Sequence, residues 1–246
     1  MTGSEPGPDV GCRDLCSGLR SFTHKGAAFR IRCERFEAVT AEIVRQRAIL
    51  EAYIRRHRAF QTALEPVTLQ DDAPEVAVRM ERAADRVGVG PMAAVAGVMA
   101  ELAAEAGLRA GAREAVVENG GDIFLVVNEP AVVGLYTGTD SLGDRLALRI
   151  PPEWTPLAVC SSSGRMGHSM SLGDCDLATV VARDAALADA AATHAANLVK
   201  VPADIDAALE IVSAIPGIDG VLLVKDDRIG LIGRLPELVP ASPGGC

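Results

Sequence analysis

The feature that most constrains this chain is the alanine-rich stretch from Ala185 to Val199, which carries Asp189, Thr193 and Asn197 at a spacing of four. On an α-helix, four residues turn through about 400°, so the three polar side chains share one face. Nearly everything around them is alanine. Such a helix packs very close to its neighbour and cannot leave a carboxylate buried without a partner. Two partners fit. One is a hard cation such as Mg²⁺, which takes oxygen ligands. The other is a plain hydrogen-bond network.

A second small-residue helix is expected from Met92 to Ala106, with Pro91 in its first turn and Gly107 at its C-terminal end. Two such helices in one chain point to a shared object that both approach closely. The rest alternates strands and helices. A strand covers the stretch from Ala27 towards Val39. A long helix capped by Thr40 runs to about Ala63, and a short one spans Glu75 to Arg86. The long helix has a basic face of Arg45, Arg47, Arg55, Arg56 and Arg58, read as solvated surface or a subunit interface. Strands follow at 115–117, 123–128, 131–137, 145–150, 157–160 and 177–182. Helices at 185–199 and 203–214 lead to a closing hairpin, 220–225 with 228–233. The fold class is α+β with an antiparallel sheet and packed alanine-rich helices. Residues 1–20 and 236–246 read as flexible tails around one domain, 21–235. No repeat is visible at the 20–50-residue scale, though a duplication of strand–helix units stays open.

Composition narrows the function. Net charge is −9 and aromatics are 3%, which disfavours nucleic acid as a partner. The N-terminal stretch has neither a basic region nor an apolar core, and the apolar run from Val87 to Ala100 is short and rich in glycine and alanine. The expectation is a cytoplasmic protein that does not span a membrane. The six cysteines, Cys12, Cys16, Cys33, Cys160, Cys175 and Cys246, show no zinc spacing, and no His-x₃-His occurs.

Three segments carry candidate chemistry. Asn119-Gly120-Gly121-Asp122 joins two strands; it is either a ligand-facing loop or a hairpin turn. Ser161-Ser162-Ser163-Gly164 follows a strand and offers hydroxyls and N–H groups to a phosphate, or is simply a polar loop. Gly167-His168-Ser169-Met170-Ser171 nearly matches a nucleophile elbow, with Asp189 and His194 downstream. It lacks the final glycine, and side chains five apart on a helix diverge by about 140°, which argues against a hydrolase triad.

Taken in order, Gly90-Pro91-Met92-Ala93-Ala94-Val95-Ala96-Gly97, Asn119-Gly120-Gly121-Asp122-Ile123, Ser161-Ser162-Ser163-Gly164, and Thr179-Val180-Val181-Ala182 followed by Ala186 to Thr193 form a series. The series resembles the ApbE superfamily of FAD:protein FMN transferases, and more closely an ApbE-like branch of it, over about Phe22 to Gly233. The resemblance implies a T-fold-related domain of two intertwined halves with FAD in a cleft between them. It implies Mg²⁺ held by Asp189, Thr193 and a backbone carbonyl near Ala93. The loops Asn119, Gly120, Gly121, Asp122 and Ser161, Ser162, Ser163, Gly164 would cradle the flavin, and His168 would act as base. Two departures stand out. Ala96 occupies the place of the family's usual lysine, and no Asp-Pro follows His168 at the family spacing. The expectation is therefore a protein that binds FAD, FMN or a nucleotide-like ligand with Mg²⁺, with phosphoryl or flavin transfer to a protein acceptor. The alternative is a non-catalytic flavin- or nucleotide-binding module, or a thiol-dependent partner protein using Cys160 and Cys175, in sulfur metabolism. A homodimer is compatible with the alanine-rich and arginine-lined helices.

Overall fold

The computed structural model describes residues 13–14, 18–136, 146–164 and 174–241. The chain runs β1 (Arg13–Asp14), β2 (Arg20–His24), β3 (Ala27–Cys33), α1 (Phe36–Arg56), α2 (Arg58–Thr62), α3 (Glu75–Val87), a 3₁₀ turn (Pro91–Ala94), α4 (Val95–Arg109), β4 (Ala115–Asn119) and β5 (Asp122–Val126). It continues with β6 (Ala131–Gly134), β7 (Leu146–Ile150), β8 (Leu157–Ser162), β9 (Leu177–Ala182), α5 (Ala185–Leu198), α6 (Ile205–Ser213), β10 (Ile218–Lys225), β11 (Arg228–Gly233) and β12 (Glu237–Pro240).

The main sheet has eight strands in the order β11-β10-β9-β8-β5-β4-β3-β2, each pair antiparallel. Its two halves repeat one plan. β2-β3, a helical layer and β4-β5 form the first; β8-β9, α5-α6 and β10-β11 form the second. The halves join edge to edge where Ile123 pairs with Val159. A four-stranded second sheet, β1-β6-β7-β12, interleaves them, drawing strands from before, between and after the halves. The duplication invisible in the sequence is thus plain in the topology.

Side chains alternate across the main sheet, as period two requires. Phe29, Ile31, Val117, Phe124, Cys160, Val180 and Leu223 face the helices. Val116, Leu125, Val159, Val181 and Leu222 face the second sheet with Leu148 and Ile150. Pro91–Arg109 has the length and apolar composition of a membrane-spanning helix. Here it is a core helix, with Val98, Ala100, Ala103 and Ala104 buried.

Several expectations shift. α1 starts at Phe36, not after Thr40, whose hydroxyl instead donates to Glu37 O inside the helix at 3.2 Å. The Arg20 guanidinium lies 3.6 Å over the Phe36 ring, so a tertiary contact rather than a capping side chain fixes the start. The helix breaks at His57, whose ring meets Asp72 at 2.9 Å and lies beside Tyr53. On its basic face, Arg45, Arg47 and Arg56 pair with Glu42, Glu51 and Asp72. Gly107 does not end α4; it lies inside the helix, against Cys33 and Val39. At the chain ends, Arg13–Asp14 pairs with β6 and β12 pairs with β7, so the ordered fold reaches into both stretches read as tails.

Candidate functional site

The two small-residue helices approach each other. A Cβ on Gly97 would lie 2.1 Å from Ala185 O and 2.9 Å from Asp189 Cβ, so only glycine permits this crossing. At the crossing each helix caps the other. Asp189 Oδ2, from α5, accepts the α4 N–H groups of Ala96 at 3.0 Å and Gly97 at 2.9 Å. Glu101 Oε2, from α4, accepts the N–H of Ala185, the first residue of α5, at 2.9 Å. Asp184 supplies the local cap of α5, accepting from Leu187 N–H at 3.0 Å. These bonds satisfy N–H groups that a helix start otherwise leaves unpaired and place negative charge at the positive end of each helix.

Beneath the crossing lies the seam between the two halves. Asn119 and Asp122 are Cα partners at the end of the β4–β5 hairpin, joined by Gly120 and Gly121 at φ +66° and +104°. This is a two-residue turn that needs left-handed residues, so the hairpin reading holds. It still faces the helices: Asn119 Nδ2 donates to Ala96 O at 3.3 Å. Cys160 stands opposite Asp122 in the register set by Ile123 and Val159, and its thiol points to Ala185 O at 3.6 Å. Asp122, on the same face as Phe124, is 6% exposed, and its Oδ1 has no hydrogen-bond partner among the described residues.

Burial first, then the negative charge of Asp189, raises the Asp122 carboxyl well above its usual range. Burial raises Asp189 too, against the pull of the Gly97 and Ala96 N–H groups. Glu101 is pushed up to about 7 by burial, opposed by the Ala185 N–H. The thiols move the same way: burial takes Cys175 up to about 11 and Cys160 well above its ordinary value. Both are therefore neutral and enclosed at pH 7, which weighs against reactive thiols at these positions.

The sequence-derived set divides. Asn119, Asp122 and Asp189 converge at the crossing. Thr193 sits one turn further along α5, half-buried. Ala93 lies in the 3₁₀ turn ahead of α4, whereas the backbone that meets Asp189 is at Ala96 and Gly97. Ser161 and Ser162 belong to β8 rather than to a loop, and the Ser161 hydroxyl bonds Thr179 across the strands at 2.9 Å. A Cβ on Gly121 would lie 3.8 Å from Ser161 O, so the hairpin turn and this strand end are neighbours. Ser163 is buried, and the Gly164 N–H donates to Cys175 O at 2.8 Å, which removes it from the free donors of the expected cradle. His168 lies outside the described residues. Glu101, Gly97 as a contact point and the Asp184 cap were missed by sequence reasoning. Only Asp184 carried a local signal, an Asp directly before an alanine run.

Comparison with known proteins matches this architecture. The family model described as "AbpE bacteria" matches residues 23–215. A UPF0280 protein of Methanocella arvoryzae is 46% identical over 199 residues, covering 81% of each chain. A UPF0280 protein of Methanosarcina barkeri is 41% identical over 207 residues, covering 84% of this chain and 81% of that one. The apo flavinyl transferase ApbE of Pseudomonas stutzeri superposes with a TM-score of 0.54 at 11% identity, covering 87% of this chain and 94% of that one. The ApbE protein of Thermotoga maritima gives a TM-score of 0.50 at 16% identity, over 84% and 93%. The fold is that of the ApbE proteins, and the chain belongs to the AbpE bacteria family.

Proposed function

We propose that this chain binds a flavin nucleotide, FAD or FMN, together with Mg²⁺ at the α4–α5 crossing, and that it transfers a flavin-bearing phosphoryl group to a protein acceptor. The observation that carries the reading is the state of Asp189. One oxygen is fixed by two N–H groups, while Oδ1 has no hydrogen bond among the described residues. Around it the available donors are oxygens: the Asp189 carboxylate, the Thr193 hydroxyl one turn on, and the backbone carbonyls where α4 begins. This hard donor set suits Mg²⁺. Ala93, in the turn ahead of α4, is the carbonyl donor implied by family resemblance; the Ala96 carbonyl already accepts from Asn119 Nδ2. When bound, Mg²⁺ would neutralise charge on a pyrophosphate.

The chain's own groups do the rest. Asp189 holds its geometry because α4 grips one of its oxygens. Asn119 ties the hairpin end to Ala96, keeping the turn against the helix start. The glycines at 120 and 121 keep that turn narrow, so a ligand can approach the backbone there. His168 remains the proposed base. A second reading, binding without transfer, is favoured by one feature: Ala96 stands where the transferases resembled by this chain carry a lysine.

The test is a titration of the purified protein with FAD in the presence of Mg²⁺ or EDTA, alongside mass spectrometry of any small molecule released on denaturation. Mg²⁺-dependent FAD binding that disappears in Asp189→Ala supports the reading. FAD binding unaffected by EDTA and by Asp189→Ala would sink the site assignment. Covalent flavin on an acceptor protein, lost in His168→Ala, would separate transfer from binding alone.

A further inference from the structure

We propose that Asp122 is a second carboxylate ligand of the divalent cation, so that the cation bridges the two halves of the fold: Asp122 on the β5 side of the seam and Asp189 on α5. The inference rests on the cation reading above, and not on the identity of the nucleotide.

Three independent placements support it. Asp122 lies between Asn119 and Cys160 on the helix-facing side of the sheet, and these two neighbours reach the helices at Ala96 O and Ala185 O. Those contacts bracket the crossing that Asp189 caps, so Asp122 lies beneath the same junction. Asp122 is 6% exposed and its Oδ1 has no partner among the described residues, although buried carboxylate oxygens are ordinarily satisfied. Asp122 is influenced by burial, the negative charge of Asp189, a thiol, a backbone N–H and Glu118, and Asp189 by burial and two backbone N–H groups; among the described residues no guanidinium or ammonium group ranks beside them. Two carboxylates enclosed together repel each other, and among the described residues neither has a cationic side chain and each keeps an oxygen without a hydrogen bond. A divalent cation answers both conditions at once. Cys160 is treated as a neighbour rather than a ligand, since its thiol is directed at Ala185 O.

The two halves contribute unlike residues, and this determines the signature. Asp189 is also a helix cap, so its removal damages packing. Asp122 caps nothing. Replacing it with asparagine keeps the shape, removes one of two repelling charges and deletes the ligand. The metal-free variant should therefore be at least as heat-stable as wild type, while cation binding falls.

The experiment is titration of the full chain with Mn²⁺ alone, no nucleotide present, read by the loss of the free-Mn²⁺ electron paramagnetic resonance signal. Thermal unfolding is measured in EDTA and in excess Mg²⁺. Wild type, Asp122→Asn, Asp122→Ala and Asp189→Asn are compared. The expected result is Mn²⁺ binding weakened at least about tenfold in both Asp122 variants. Asp122→Asn in EDTA should melt no lower than wild type, and Mg²⁺ should no longer raise its melting temperature. Wild-type-like Mn²⁺ affinity in Asp122→Asn, with binding lost in Asp189→Asn, would overturn the inference and leave the cation site standing without it. Absence of Mn²⁺ binding by wild type at millimolar concentration would overturn both. Loss of binding accompanied by a lowered melting temperature in EDTA for both Asp122 variants would also overturn it, since it would make Asp122 a packing residue.

Discussion

Gly97→Ala tests the helix crossing on which the site depends. The added Cβ would sit 2.1 Å from Ala185 O and 2.8 Å from its carbonyl carbon. Ordinary contact lies at about 3.5 Å, so the helices must separate by roughly 1 Å. Both contact atoms belong to backbone, so no rotamer change relieves the overlap. Overpacking of this kind costs about 3 kcal/mol. Separation also stretches the bonds from Ala96 and Gly97 to Asp189, now at 3.0 and 2.9 Å, towards distances at which they no longer count as hydrogen bonds. That adds about 1 kcal/mol for each. Alanine's better helix propensity returns about 1 kcal/mol. The net loss is about 4 kcal/mol, which for a domain of this size lowers the melting temperature by roughly 8–16 °C. Gly107→Ala is the control. It also meets close neighbours, Cys33 Sγ at 2.7 Å and Val39 Cγ2 at 2.9 Å, but these are side-chain ends that can yield. Its loss should be about 1 kcal/mol or less. Urea and thermal unfolding of the three proteins decide the matter. Gly97→Ala within about 0.5 kcal/mol of wild type would refute the backbone-contact argument.

Further outcomes follow from the same geometry. Glu101 stands at about 7 in the folded protein against an ordinary 4.5, so the folded state holds its proton more tightly. Its stabilising contribution is complete below pH 4.5 and is lost as pH rises through 7, a decline of about 3 kcal/mol. Glu101→Gln keeps an acceptor for the Ala185 N–H and should flatten that decline in urea unfolding series from pH 4 to 8; an unchanged slope would contradict the burial of this carboxyl. Asp189→Asn retains a capping oxygen and should unfold within about 1 kcal/mol of wild type without metal, whereas Asp189→Ala should lose about 2 kcal/mol. Equal stability of the two would deny Asp189 its capping role. Iodoacetamide at pH 8 should leave Cys160 and Cys175 unmodified in the native protein and reach them only in urea, as peptide mass mapping would show; rapid native alkylation of Cys160 would restore the thiol-dependent alternative.

What the sequence made legible was local. Strands β3, β4, β5, β8 and β9, helix α5 and the closing hairpin could be read because their periodicity and turn residues are strong: Gly120-Gly121 and Asp226-Asp227 sit where the chain reverses, whereas the edge strand β2 was not read. The start of α1 was not legible, because Phe36 has no capping side chain before it and is fixed by Arg20 from another strand. β12 was missed because four residues ending in proline look like a tail until β7 supplies the pairing. At the site, the spacing of Asp189 and Thr193 was visible, and Asp122 sits two residues from Phe124 on one strand face. The Glu101–Ala185 bond was not visible, since nothing local to Glu101 or Glu105 on this alanine-rich helix names a partner. The small residues of α4 and α5 point in the sequence to a shared object that both approach, and in the structure Gly97 and Ala185 face each other.

That mutual contact sharpens the choice between a hydrogen-bond network and a cation at Asp189. A helix cap needs one acceptor oxygen, and asparagine or serine provides it without a charge. The helix dipole rewards a carboxylate there by about 1 kcal/mol. Against that reward stands the burial of a second carboxylate, Asp122, in the same enclosed space, with an oxygen that has no partner among the described residues. A structure maintained only for stability would gain by making either residue neutral. Glu101 performs the same capping task on α5 beside two other acids, Asp184 and Glu105, but with the Arg79 guanidinium at 3.8 Å to answer the charge. The carboxylates that no cationic side chain among the described residues answers are those on the α4 side of the crossing, where the hairpin end and β8 also meet. Buried carboxylates left without a cationic neighbour at one end of a near-symmetric junction, and given an arginine at the other, mark the first end as the one reserved for a ligand, and the sign of the charge calls for a cation.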